Sequence, residues 1–285
     1  MKKFLLLLGL ITLGTQSPAQ EGTVYDHLSL ESRILKTTKK YAIYLPPDYE
    51  TSERSYPVLY LLHGAGGDQT EWVQRGEVKH ITDKAIRDGI TKPLIIAMPD
   101  ASGPDRGYAN NPAGTWLYED YFFEEFIPFI EKTYRVRPGK MNRSVAGLSM
   151  GGNGTFIFAL HHPEMFKAAC SLSAATGPLS PETAKEYLKR WDAGLSDEQI
   201  REWYQKYSVL ELIKQIPENR KAAVRWYITC GDDDHIENVY EGNCLIHLTM
   251  RKLEVPHEFR ITDGGHTWEV WRRALPEVLE FINFP

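Results

Sequence analysis

An α/β fold, with a mostly parallel central sheet and helices on both faces, is what this sequence predicts, and three observations carry the expectation. Short continuous apolar runs, the mark of strands buried on both faces, recur along the chain. Amphipathic helical stretches alternate with them. Segments of alternating pattern precede the first run and read as antiparallel strands at one edge of the sheet.

The chain has 285 residues, enough for a full core and within the range such folds occupy as one domain, here 20–285. Its net charge of −5, with no Lys/Arg-rich run, argues against a nucleic-acid partner or an anionic-membrane surface. Residues 1–19 read differently. A basic "MKK", the apolar "FLLLLGLITLG" and the small residues Ser17 and Ala19 form a secretory signal peptide, cut after Ala19. The apolar run is too short to span a bilayer of about 30 Å, so export to the periplasm or the exterior is expected, without a membrane anchor after cleavage. Cys170, Cys230 and Cys244 make no disulfide framework. Cys170 and Cys230 fall in apolar runs and read as small buried hydrophobes, with a Cys230–Cys244 or Cys170–Cys230 bridge left open.

Taken in order, residues 23–49 supply the alternating edge segments, closing at Pro46-Pro47. The buried strands follow: "PVLYLLHG" (57–64), "LIIAMPD" (94–100), "SVAGLS" (144–149), "AACSLSA" (168–174), "VRWYITCG" (224–231) and "EFRITDGG" (258–265). Helical patterns fill 121–134, 152–162 and 238–253, and a last helix covers 268–282. Residues 178–223 break the rhythm with polar helices and no strand; Ser180 and Ser196 each precede an acidic or helical stretch as N-caps do. That segment reads as a helical insertion in one crossover, partly capping the mouth of a site.

The chemistry lies at the turns. "AGLSMGGNG" (146–154) holds Gly-x-Ser-x-Gly, with a strand before Ser149 and a helix after it, the context in which a sharp turn exposes a serine nucleophile. Gly147 and Gly151 let strand and helix approach closely, and Met150 offers its backbone N–H to a developing oxyanion. Serine needs a base, and the base needs an orienting acid. Of nine histidines, His266 alone follows a strand and two glycines, in "EFRITDGGHTW". His161 and His162 end a helix, where cations suit the terminus, and His63 reads as structural. "ITCGDDDHIEN" offers Asp232, Asp233 and Asp234 for the acid; their consecutive spacing fits neither a calcium loop nor a zinc site, so no metal is expected. "LLHGAGGDQTEW" supplies a second oxyanion amide, at Ala65.

"YLPPDYETSERSYPVLYLLHGAGGDQTEW", "RVRPGKMNRSVAGLSMGG" and "GGHTWEVW" together resemble the esterase D-like α/β-hydrolases, and within them carbohydrate esterase family one, over most of 40–282. The resemblance implies an α/β-hydrolase fold, Ser149 as nucleophile, His266 as base, Asp234 as acid (third after Gly231) and the amides of Ala65 and Met150 as oxyanion donors. It implies a serine esterase without a cofactor, acting on feruloyl or acetyl esters of xylan or its oligosaccharides. Competing expectations are an S-formylglutathione hydrolase-like thioesterase, an acyltransferase on the same triad, and a non-catalytic carbohydrate-binding protein. Trp72, Trp116, Tyr118 and Trp268 flank the motif loops and are candidates to stack on a sugar or phenolic ring.

Overall fold

The computed structural model describes residues 20–103, 107–189 and 194–283; the signal peptide expected at 1–19 lies outside the described residues. The strands are β1 (Thr23–Ser32), β2 (Thr37–Leu45), β3 (Val58–Leu62), β4 (Ile95–Pro99), β5 (Arg143–Leu148), β6 (Ala168–Leu172), β7 (Arg225–Gly231) and β8 (His257–Thr262). They form one eight-stranded sheet in the order β1-β2-β4-β3-β5-β6-β7-β8. β1 pairs with β2 and β2 with β4 antiparallel; the remaining ladders are parallel.

The parallel strands are apolar throughout because alternate residues feed two separate layers. Tyr60, Leu62, Ile95, Ala97 and Val145 enter one layer, and Leu59, Leu61, Ile96, Met98 and Ala146 the other. The helices are α1 (Glu71–Gln74), α2 (Val78–Arg87), α3 (Tyr118–Tyr121), α4 (Ile127–Thr133), α5 (Met150–His161), α6 (Pro181–Leu188), α7 (Asp197–Tyr207), α8 (Val209–Lys214), α9 (Tyr240–Lys252) and α10 (Trp268–Phe281). α1, α2 and α10 cover the second layer, and the others contribute to the first. Between α3 and α4 the helix widens into a π-turn (Phe122–Phe126), with Ile127 N–H reaching Phe122 O. Pro128, which has no N–H for the α ladder, follows directly.

Two elements depart from the apolar pattern. α2 buries Val78, Thr82, Asp83 and Ala85, a stripe too polar to stand out in the sequence. β8 is not buried on both faces: it is the outer strand of the sheet, with Glu258, Arg260 and Ile261 exposed. Cys170, Cys230 and Cys244 are free thiols, so neither candidate bridge is present. No helix among the described residues is long and apolar enough to cross a membrane.

α6, α7 and α8 stand between β6 and β7, as expected for the insertion, and Ser180 and Ser196 both close capping boxes. The insertion is tied to the body by polar bonds. Trp203 Nε1 donates to Asn110 O (3.1 Å), and Tyr207 Oη donates to Glu119 Oε2 (3.0 Å). His161, at the end of α5, meets Glu119 through Nδ1 and the Lys206 carbonyl through Nε2 (2.7 Å). Burial alone pushes the Glu119 carboxyl up, but hydrogen bonds from His161, His162 and Tyr207 outweigh it and hold the group at about 2.

This carboxyl is more acidic folded than unfolded, so its stabilising contribution is present above the ordinary value of 4.5 and is lost as pH falls towards about 2. Glu119→Gln is expected to destabilise the fold by roughly 3 kcal/mol at pH 7, since it leaves the histidines without their buried partner. It should also flatten the fall in Tm across that acid window, read by thermal melts at stepped pH.

Candidate active site

β3 and β5 are neighbours, yet the chain leaves them towards opposite sides, to β4 and to β6. Such a reversal opens a crevice at the carboxyl ends of the strands. Ser149 stands there, between the end of β5 and the start of α5, at φ 53° and ψ −114°. A side chain at positive φ is strained by about 1–3 kcal/mol and persists only where its surroundings hold it. Here they do: Ser149 N–H donates to Leu172 O (2.9 Å), and Ser149 O accepts from Ala175 N–H and Asn153 N–H (both 3.0 Å). The flanking glycines are required by distance. A Cβ on Gly147 would come 2.5 Å from Gly151 O, and one on Gly151 would come 2.7 Å from His63 O.

Ser149 Oγ lies 2.9 Å from His266 Nε2, and His266 Nδ1 lies 2.7 Å from Asp234 Oδ2. Asp234 accepts from Nδ1–H, which leaves Nε2 to accept the serine proton. The Asp234 side chain is fully buried, while that of His266 is 13% exposed. Ile236 N–H donates to the second Asp234 oxygen (3.1 Å). The imidazole is also held edge-on by Trp271 (4.9 Å), whose Nε1 donates to Ser173 Oγ. The two loops that carry acid and imidazole cross at Gly231, where a Cβ would meet Gly264 O at 1.8 Å. Of the three aspartates, only Asp234 turns inward. Asp232 accepts from Gly264 N–H, and Asp232 and Asp233 meet Asp263 on the surface.

On the other side of Ser149 runs the loop after β3. A Cβ on Gly64 would stand 3.6 Å from Ser149 Cβ, and Ala65 and Met150 both line the cavity there. The Met150 N–H, in the first turn of α5, has no helical acceptor. The Ala65 N–H is aimed indirectly. His63 Nδ1–H donates to Gly64 O (2.8 Å), and that carbonyl shares its rigid peptide plane with the Ala65 N–H. Ala101 N–H donates to His63 Nε2 (2.8 Å), which sets the tautomer. Burial keeps the His63 pKa below its usual value and the ring neutral. Beneath it, the buried pair Lys39–Asp100 (2.9 Å) is completed by bonds from Lys39 Nζ to Ser102 O and from Ser102 N–H to Asp100.

A cavity of about 560 Å³ opens from Ser149. Tyr108 and Ile157 line it, together with Tyr187, Trp203 and Tyr207 of the insertion. These aromatics were not among the sequence candidates, although the i, i+4 spacing of Trp203 and Tyr207 puts both on one face of α7. The four aromatic candidates are elsewhere. Trp72 is fully buried with Nε1 bonded to Leu62 O (3.0 Å), and Tyr118 is fully buried with its hydroxyl on Asp100 O (3.0 Å). Trp116 stacks on Tyr118 and binds Gly107 O, and Trp268 packs edge-on against Trp72 and Trp271. None of the four lines the cavity, and full burial leaves Trp72 and Tyr118 no face for a substrate ring.

The profile of the Esterase family matches residues 32–282. The chain belongs to that family. The chain is 37% identical over 248 residues to an endo-1,4-beta-xylanase/feruloyl esterase of Xylanibacter ruminicola, across 84% of this chain and 28% of that protein. It spans less than a third of the length of the first curated relatives, at 28% and 29%. Among solved structures, a ferulic acid esterase superposes with a TM-score of 0.79 at 34% identity, covering 92% of this chain and 98% of that one. An S-formylglutathione hydrolase of Staphylococcus aureus shares the fold, with a TM-score of 0.72 at 21% identity over 92% of this chain and 98% of that one.

His63→Ala frees the Gly64–Ala65 peptide to rotate and leaves the Ala101 N–H without its acceptor. If the Ala65 N–H serves a developing oxyanion, turnover of an aryl acetate is expected to fall on the order of 10²-fold in kcat, with KM changed far less. Steady-state kinetics on an aryl acetate, beside a circular-dichroism spectrum of the folded variant, check this.

Proposed function

We propose that the protein is a feruloyl esterase that removes phenolic acyl groups from plant cell-wall polysaccharide through Ser149, His266 and Asp234. The reading is carried by the aromatic-walled cavity of about 560 Å³ that opens directly from the Ser149 hydroxyl. That volume lies in the usual range for small-molecule sites and far exceeds what an acetyl group fills. The 34% identity to a ferulic acid esterase over 98% of its length supports the same acyl class. A signal peptide at 1–19 would bring the enzyme to polymers outside the cytoplasm.

In this reading, His266 Nε2 takes the Ser149 proton as Oγ attacks the ester carbonyl. Asp234 stabilises the imidazolium that forms. The N–H groups of Ala65 and Met150 hold the oxyanion, and His266 returns the proton to the departing sugar hydroxyl. Water, deprotonated by the same imidazole, then attacks the feruloyl-enzyme; the acyl–Oγ bond breaks, His266 returns that proton to Ser149 Oγ, and ferulate is released. The phenolic ring packs against apolar and aromatic side chains of the lining, among them Tyr108, Ile157, Tyr187 and Trp203. The charged side chains among the described lining residues are Glu186 and Glu237, which favour a neutral sugar ester over an anionic thioester of the glutathione type.

Initial rates on methyl ferulate, an aryl acetate and acetylated xylan test the assignment. Methyl ferulate is expected to be the fastest of the three, and turnover of acetyl esters alone would replace the reading with an acetyl esterase. Ser149→Ala and Asp234→Asn should each lower kcat by about 10⁴-fold or more, and Asp232→Asn or Asp233→Asn by less than about threefold.

Tyr187→Ala separates the acyl pocket from the hydrolytic machinery. It should raise KM for methyl ferulate about tenfold and leave the aryl acetate nearly unchanged. Equal losses on both substrates would place Tyr187 outside acyl recognition.

A further inference from the structure

β8 closes one side of the sheet, and its outer edge pairs with no strand among the described residues. One bond gives the direction of its backbone groups. Asp232 N–H donates to Thr262 O (3.0 Å), so Thr262 faces β7. Backbone groups alternate sides along a strand, so Arg260 and Glu258 face β7 as well, and His257, Phe259 and Ile261 turn N–H and C=O outward. An open edge of this kind is a template for another chain. Its devices against pairing are weak here. Ile261 is 45% exposed, and no proline interrupts the strand. The edge is also firmly backed. His247 of α9 bonds to His257 (Nδ1 to Nε2, 2.8 Å) and stacks on Phe259 with ring centres 4.5 Å apart.

We propose that this edge pairs with the same edge of a second copy, antiparallel about a two-fold axis at Phe259, joining two eight-stranded sheets into one. The register is set by the free groups and by charge. With the axis at Phe259, each outward-facing residue meets an outward-facing partner: Phe259 meets its own copy, and His257 meets Ile261. Glu258 then lies opposite Arg260 of the second copy, at a non-hydrogen-bonded position where Cα atoms approach to about 4.5 Å. The symmetry makes that contact twice. Within each chain Arg260 already reaches Glu258 (2.7 Å) and Glu277 (3.4 Å), so the paired edges assemble a mixed-charge cluster. Other registers lose this match. An axis at Glu258 sets carboxylate against carboxylate, one at Arg260 sets guanidinium against guanidinium, and one at Ile261 leaves both charges without an opposite partner. The charge pattern of the edge is thus complementary to its own copy in this one register.

Sedimentation velocity on the mature protein over a micromolar concentration series tests the proposal, which does not depend on the substrate. A reversible monomer–dimer equilibrium is expected. Arg260→Glu and Glu258→Arg each set like charges opposite one another at both contacts and should raise the dissociation constant about tenfold or more. The two substitutions combined reverse the pairs and should restore dimerisation. Hydrolysis of an aryl acetate and a thermal melt establish that each variant is folded. A wild-type protein that stays monomeric to about 100 µM overturns the proposal. A dimer indifferent to either single substitution, or a folded double variant that remains as weak as the singles, overturns it too.

Discussion

No side chain fits where the first turn of α5 crosses the end of β3. A Cβ on Gly151 would press on the carbonyls of Leu62 and His63, and one on Gly147 on the carbonyl of Gly151. This contact decides how near the elbow can stand to the loop after β3, and hence whether the Ser149 hydroxyl and the Ala65 and Met150 amides share one crevice. The strained backbone of Ser149 is a consequence of the same contact. The turn must reverse between strand and helix with no spare residue, and its bonds to β6 and the loop after it keep it there.

Two buried polar assemblies stand on either side of this crevice, and each fixes a wall of it. Under the loop after β3, Lys39, Asp100 and His63 are all nearly inaccessible, and their bonds end on backbone groups of 64 and 101–102. Across the cavity, Glu119 gathers His161 and Tyr207 and so ties α5 to the insertion. Buried charge is costly unless each group is paired and bonded, and in both places the partners are present. The hydrogen bonds that satisfy these charges also orient the parts of the site.

The sheet was readable because its parallel strands are apolar on both faces, a pattern that strand length and flanking glycines distinguish from helix. Ser149, His266 and the aspartate run were readable because each follows a strand at its carboxyl end, where side chains meet whatever the intervening sequence. Choosing Asp234 took the family resemblance, since spacing alone does not say which of three consecutive carboxylates turns inward. The aromatic wall was not readable. Trp72 and Tyr118 are close to the motif loops in sequence, but they are buried in the two core layers, with their polar atoms bonded to Leu62 O and Asp100 O at the ends of β3 and β4. Tyr187, Trp203 and Tyr207 come from a segment whose docking depends on contacts with Asn110 and Glu119, and no local pattern records them. The outward position of β8 escaped for a different reason: its place at the end of the sheet is a matter of strand order, although the charges at Glu258 and Arg260 do mark an open face.

The insertion contributes one wall of the cavity and none of the three hydrogen-bonded groups at its base. The Ser149–His266–Asp234 constellation and much of the cavity's aromatic lining therefore come from separate stretches of chain. Residues 181–207 can diverge, lengthen or be exchanged for a foreign segment without disturbing the elbow, provided the replacement keeps an anchor for Glu119 and covers the apolar side of α5. If the proposed function holds, one core can in this way be refitted for new substrates, with Ser149, His266 and Asp234 kept in place while the facing surface changes.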